Sequence, residues 1–309
     1  MAPSPHLRTS CCLLPFFFVL FFFFFLSFSP QVCTGEGETP PEITYHNGPI
    51  LTGNVKLALV WYGRFGRVQK NTVRAFVKSL NYEGHAAGQP LVSSWWKIVE
   101  GYQTAAKKPD GPITVKVARQ VTDTSYSIGK VITTDFLKPL IQKATEGNPG
   151  ILPVIFTARD VSVHGLCMGK CADHGIIGTY NQAYVIVGNP ETECPEECAW
   201  PFRGGPDLIP PSGDIGADAM VIGFAQGLVA VVTNPQDTGF FEDSLRKPLE
   251  ASSACTGIFG SGAVPGSNPG KLLKDPATGK SFNCYGSKGK RFLVPAVWNP
   301  ATKTCWTLM

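Results

Sequence analysis

Gly213-Asp214-Ile-Gly-Ala-Asp218-Ala-Met-Val-Ile-Gly-Phe-Ala-Gln226-Gly227-Leu-Val-Ala230-Val-Val-Thr233-Asn234-Pro235 is the stretch whose reading decides the fold. Between Ala217 and Val232 almost every side chain is apolar, so no face is left for water and the segment must be buried or lie in a membrane. That run is 16 residues, short for a span, which takes roughly 20. Asp214 is placed to cap a helix, Asp218 falls in its first turn where the dipole favours an anion, and Asn234-Pro235 ends it. The reading is a buried central helix with two acids at its mouth and one interior polar side chain, Gln226.

Working outward, the residues before this helix supply a sheet for it to pack on. The run 56–62 predicts a buried strand ending at Gly63, 113–121 alternates apolar with Thr, Lys and Arg as a half-solvated strand, and 152–157 and 183–188 are two further strands. Helices are predicted over 68–80, from Val73, Phe76, Val77 and Leu80, and over 91–102, opened by Pro90. A third, over 134–145, is expected to be interrupted at Pro139. Trp95 and Trp96 have the chemistry to stack on a sugar, but at helical spacing they read as core. After the central helix, 257–270 and 275–289 are too rich in Gly, Ser, Pro and Lys for a second core, and 291–294 is at most a short strand. The fold class is α/β (α+β), a single domain with a mixed sheet, helices packed on it and one buried central helix.

The 309 residues are 43% hydrophobic and 16% charged, which suits a globular domain. A net charge of +4 with dispersed Lys and Arg excludes a nucleic-acid footprint. Residues 1–34 have the form of a secretory signal peptide: a weakly basic start at His6 and Arg8, then a Phe-dominated run, then small residues. The tether is 35–44 and the folded domain 45–309. The expectation is a secreted, extracellular protein with no stable membrane anchor once the signal is cleaved.

Secretion governs the cysteines. Cys167, Cys171, Cys194, Cys198, Cys255, Cys284 and Cys305 remain in the mature chain, so three disulfides and one leftover thiol are expected, with the pairing open. In a reducing compartment the two Cys-x3-Cys pairs beside a histidine would be a zinc proposal, but an oxidising one favours disulfides, and no metal or cofactor is expected. Cys284 has nothing beside it to activate a thiol.

Chemistry is concentrated in Asp160 to Gly175, which holds His164, Asp173 and His174, and at the helix mouth. The candidate binding cleft therefore comprises Asp173, His174, Asp214, Asp218 and Gln226. The two histidines have the chemistry of an acid/base pair, although a structural histidine is the commoner outcome. Asp160, Asp173, Asp214 and Asp218 are the acids from which a glycoside hydrolase pair would be drawn, but no spacing in sequence selects two of them. There is no nucleophile elbow, P-loop, dinucleotide fingerprint or His-Glu-x-x-His, and no catalytic residue is assigned.

Taken together, several segments resemble the plant phosphate-induced, or EXORDIUM, protein family. They are Tyr45-His-Asn-Gly-Pro, Gly53-Asn54 leading to Trp61-Tyr-Gly, Ser94-Trp-Trp, Cys171-x-x-His174-Gly175 and Cys198-Ala-Trp-Pro-Phe202. Further along come Gly213-Asp-Ile-Gly-Ala-Asp218, Thr233-Asn-Pro235 and Ala254-Cys-Thr-Gly-Ile-Phe-Gly-Ser-Gly262. Cys284 departs from the family's pattern. The resemblance implies an apoplastic or cell-wall protein linked to brassinosteroid-responsive growth and cell expansion, with no established enzymatic activity. Its expected partners are a wall polysaccharide, an apoplastic ligand or a receptor. The alternative is a wall-glycan hydrolase or a degenerate metallopeptidase-like enzyme. The helix and its Thr-Asn-Pro ending are also similar to zincin-like peptidases, with Gln226, Gly227 and Ala230 where the first ligand, the general base and the second ligand would stand. None of these can bind zinc well or carry a proton, so the likeness implies a zincin-like fold without the metal site.

Overall fold

The computed structural model describes residues 42–84, 88–109, 111–178, 181–243 and 248–309. The segment read as a signal peptide, 1–34, lies outside the described residues, as does most of the tether. From residue 40 to the C-terminus the chain is one compact unit.

Its centre is a five-stranded mixed sheet built from β1 (Asn54–Tyr62), β2 (Thr114–Asp123), β3 (Ile151–Thr157), β4 (Ala172–Ile177) and β5 (Gln182–Val187), in the spatial order β2-β1-β3-β5-β4. The first four of these neighbours run parallel, with Leu59 opposite both Gln120 and Val154. β4 alone is antiparallel and closes one edge, His174 lying opposite Val185. Parallel pairing requires crossovers, and the helices provide them: α1 (Arg67–Leu80) and α2 (Val92–Ala105) between β1 and β2, and α3 (Leu137–Thr145) between β2 and β3. Alternate residues of the inner strands then face opposite ways. Leu57, Leu59, Trp61, Val154, Phe156, Val185 and Val187 meet α1, α2 and the central helix, α4 (Ile215–Thr233). Ala58, Val60, Tyr62, Ile155 and Ile186 meet α3 on the other face. The α/β single-domain architecture expected from the sequence is the one observed.

Two expectations need amendment. Pro139 does not interrupt α3, because a 3-10 turn at Thr134–Phe136 precedes a helix that begins at Leu137. This places Pro139 in the first turn, where its missing N–H has no partner to lose. The edge strand β4 has no counterpart in the sequence reading, which left 172–177 inside the cysteine and histidine segment. Its residues are mostly half-buried and do not alternate cleanly, so the period-2 signal is absent.

The aromatic pair on α2 belongs to the core. Trp95 and Trp96 are each 1% exposed, and their indole N–H groups donate to the carbonyls of Pro295 and Ile113, both at 2.7 Å. Trp95 and Tyr102, whose hydroxyl donates to the Trp298 carbonyl at 2.6 Å, tie α2 to the C-terminal part of the chain. That part contains only short ladders, Cys284–Tyr285 with Arg291–Phe292 and Val297–Asn299 with Thr304–Trp306 among them. Phe292, Val294, Val297 and Trp298 join the core under α1 and α2, and Phe259 and Leu293 pack with Phe202 and Ile222 in a smaller cluster. Buried Asn283 holds it in register by bonding the carbonyls of Phe259 and Val294 and accepting from the Val294 N–H.

The central helix has 19 residues and would qualify by length and composition to cross a membrane, yet 89% of its most apolar window is buried inside the protein. Burial, not length, settles its character. It lies close against β4 and β5. A Cβ on Gly227 would come within 2.6 Å of Val185 Cγ1, and one on Gly223 within 3.4 Å of Val187 Cγ1. Its ends are finished as the sequence predicts: the Asp214 carboxylate accepts from the Ala217 N–H at 2.8 Å, and Asn234 forms the C-cap. Asp218, 2% exposed, accepts from the Ser212 N–H at 2.8 Å and the Ser212 hydroxyl at 2.7 Å. Burial pushes its carboxyl up to about 7 in spite of these bonds.

Two measurements check this packing. Gly227→Ala is expected to lower stability by about 1–3 kcal/mol through overpacking against Val185. Gly101→Ala, in α2 with open space around it, is expected to raise stability by up to about 1 kcal/mol. Denaturant midpoints of the two variants should move in opposite directions. For Asp218 the native state holds a proton that the unfolded chain, with an ordinary carboxyl near 3.8, has already released. Between about pH 4 and pH 7 this group therefore reduces stability as pH rises, by about 1.4 kcal/mol per unit at most. Asp218→Asn should flatten that slope relative to the parent chain, read as melting temperature at several pH values across the window.

Candidate functional site

A cleft opens beside the central helix, between β4, the Cys-rich loops and the segment 248–259. Its floor is the helix face carrying Ile222, Gly223, Gln226, Gly227 and Ala230. β4 contributes Asp173 and His174, and the segment after it contributes Glu197, Cys198 and Trp200. Of the five residues predicted to form a cleft, the structure brings Asp173, His174 and Gln226 together on one cavity. Asp214 and Asp218 do not line it. Their carboxylates are used at the helix N-terminus, one as its cap and the other on Ser212. His164 is exposed and also lies off the cleft, while Asp160 is a surface acid paired with Lys130 and Tyr126.

Disulfides hold the rim. Cys167 pairs with Cys194 and Cys171 with Cys198, and Cys255 pairs with Cys305 to fasten the last strand pair. Among the described residues Cys284 is the free thiol and is fully buried, which raises its pKa well above the ordinary range and leaves it an inert core residue. Cys194 sits just before a single helical turn, Pro195–Cys198, and the two bonds lock that turn onto the loop leading into β4. Each spans 27 residues, and on the chain-entropy model closing a loop of that length contributes about 3–4 kcal/mol.

At one end of the cleft is a polar group that sequence reasoning did not find. Glu250 lies in the short strand Leu249–Glu250, which is paired through Phe240–Glu242 to Thr44–Tyr45. Its carboxylate accepts from Asn234 Nδ2 at 2.6 Å and meets His174 Nε2 at 2.9 Å. The same Asn234 side chain accepts from the Gly239 N–H at 2.7 Å, so the residue that ends the helix also orients Glu250. The His174 side chain is 5% exposed and that of Glu250 16%. Burial alone would lower the imidazole pKa, but the Glu250 hydrogen bond and charge outweigh it, and the ring is held above its ordinary value. Burial likewise works to raise Glu250, and the His174 contact brings it below the usual carboxylate range. Lys170 and Asp173 form an outer ion pair at 3.0 Å. Nothing in the sequence around 250 marks Glu250, since it has neither a motif nor a periodic position.

The helix positions facing the cleft, Gln226, Gly227 and Ala230, offer one amide and no acid or base. His174 is engaged by a carboxylate, and among the described residues no Ser, Thr or Cys hydroxyl or thiol is hydrogen-bonded to it. The apolar side is a half-buried Trp200, with Ile222 and Phe259, and Ser252, Ser253 and Thr256 also line the cleft.

Comparison with known proteins places this architecture. The family model described as the phosphate-induced protein 1 conserved region matches residues 43–308. Protein EXORDIUM-like 2 of Arabidopsis thaliana is 41% identical over 286 residues, covering 88% of this chain and 91% of that protein. Protein EXORDIUM of the same plant is 38% identical, covering 86% and 89%. Protein PHOSPHATE-INDUCED 1 of Nicotiana tabacum is also 38% identical, covering 86% and 88%. No solved structure matches, so the likeness to zincin-like peptidases rests on the helix sequence and its ending alone. The match to the conserved region takes in the whole sheet, the central helix and every residue of the cleft, and the chain belongs to the plant EXORDIUM, or phosphate-induced protein 1, family.

Proposed function

We propose that this chain is a secreted plant cell-wall protein, associated with brassinosteroid-responsive growth and cell expansion, that acts by binding a wall polysaccharide in the cleft rather than by cleaving it. The observation that carries the reading is the half-buried Trp200 on a cleft also lined by Asp173, Glu197, Gln226, Ser252, Ser253 and Thr256. A sugar has an apolar face and a polar edge, and an aromatic ring beside convergent polar groups is matched to both. Family membership supports the growth association. The apolar leader and the three disulfides support export to an oxidising compartment.

The test is sedimentation of the purified chain with insoluble wall fractions, followed by titration with soluble oligosaccharides from the fraction that retains it. Trp200→Ala should weaken binding by about tenfold or more, equivalent to ~1.4 kcal/mol, and Trp200→Phe should recover part of that loss while both variants melt close to the parent. Equal affinity of Trp200→Ala and the parent chain would remove the cleft from the account. Release of new reducing ends that stops on Asp173→Asn or Glu250→Gln would replace binding with hydrolysis.

A further inference from the structure

The polar group at the end of the central helix is built for more than an ion pair. One imidazole nitrogen of His174 and one carboxylate oxygen each of Asp237 and Glu250 lie within 4.8 Å of one another. These residues come from three separate elements: the edge strand β4, the turn after the helix, and the short strand Leu249–Glu250. A second observation is independent of that spacing. His174 Nδ1 is buried with no hydrogen-bond partner, although the side chain is 95% removed from solvent, the complement of its 5% exposure. With no second partner to fix its tautomer, the ring is free to turn Nε2 from Glu250 to a cation.

The surroundings favour a cation. The helix ends at Thr233, and the negative end of its dipole is directed at this corner. Asp173 adds a third carboxylate nearby, partly offset by Lys170. Asn234 Nδ2 holds Glu250 from behind, as outer partners hold metal-ligating carboxylates. One imidazole with two carboxylates is the donor set of zinc and its first-row neighbours; calcium and magnesium prefer all-oxygen shells. The cysteine group that also has metal-ligand spacing, Cys167, Cys194 and Cys198, is consumed by disulfides and offers no thiolate.

We propose that His174, Asp237 and Glu250 form a binding site for a zinc-class divalent cation at the C-terminal end of the central helix, with its remaining coordination positions open to the cleft. The site is distinct from the helix positions Gln226, Gly227 and Ala230, where the zincin-like comparison would put a metal. It needs only a small adjustment. The His174–Glu250 hydrogen bond gives way to two coordinate bonds, and Asp237, the exposed member of the three, swings inward to complete the set. The inference does not rest on the glycan reading, and either can fail without the other.

The experiment is titration of the full secreted chain, disulfides intact, with zinc chloride by calorimetry, with elemental analysis after dialysis and cobalt(II) absorption as a second probe. One equivalent should bind. Asp237→Asn, an exposed change that leaves the core untouched, should weaken binding by about tenfold or more without moving the melting temperature measured in chelator. Glu250→Gln should do the same, and the cobalt spectrum should lose its imidazole-dependent features in His174→Gln. His164→Ala, at an exposed histidine off the cleft, should bind as the parent does. Absence of stoichiometric zinc, or zinc retained unchanged by both Asp237→Asn and Glu250→Gln, would overturn the assignment. So would binding lost on His164→Ala, which would mark a surface ion.

Discussion

A helix without a polar side can be stable in water only if protein surrounds it on every face, and that requirement organises this molecule. α4 meets the sheet through Gly223 and Gly227, whose missing side chains let its backbone approach Val187 and Val185. Phe224 stands edge-on to both Phe76 of α1 and Phe156 of β3, so one aromatic cluster joins helix, sheet and backing helix. The C-terminal ladders, too small to bury anything alone, close the remaining side by adding Phe292 against Phe76 and Trp298 against α2. Non-directional burial of this kind is the main stabilising term in a domain of this size, and it anchors the loop-rich tail through Phe292, Val294, Val297 and Trp298.

Such a helix confines polar chemistry to its ends and to one strip. At the N-terminus two carboxylates are fully occupied by backbone N–H groups and Ser212, which makes them scaffold. At the C-terminus Asn234 reaches beyond the helix to orient Glu250 against His174, and there the polar atoms are not all satisfied. The two ends look alike in sequence, an acid-bearing start and an Asn-Pro stop. They differ because one end is closed by its own neighbours in the chain, while at the other Asn234 shares Glu250 with His174, on a strand 60 residues upstream in sequence.

This contrast sets what could be read from the residues alone. Local periodicity carried β1, β2, β3, β5 and the helices, because each has a face that the sheet or core imposes on its own sequence. It did not carry β4, whose residues are an edge, half-buried on both faces and ringed by disulfides. Nor could spacing choose the disulfide partners. Cys194 and Cys198 are one helical turn apart, and Cys167 and Cys171 flank a tight turn closed by the Cys167 N–H on the Lys170 carbonyl. Either set of rungs would span such a short rectangle; the fold selects one. Of the cleft, Asp173, His174 and Gln226 were visible as polar residues in apolar or cysteine-rich surroundings. Glu250 and Trp200 were not, because their significance is only their distance from residues far away in the chain.

The depth of the cleft follows from the same close packing that stabilises the helix. Gly223, Gly227 and Ala230 are small because the helix must lie close to β4 and β5, and small residues on a curved surface leave space on the neighbouring flank. A helix bearing a metallopeptidase's histidines and glutamate would fill that space with ligands and admit water to them. Here the space stays open, Gln226 reaches into it, and the functional groups enter from the surrounding loops, which the two parallel disulfides and the Asn234 bond to Glu250 hold in place. The polar side chains around the cleft therefore stand on segments held by covalent and charged contacts, over a helix whose contribution is to leave room for them.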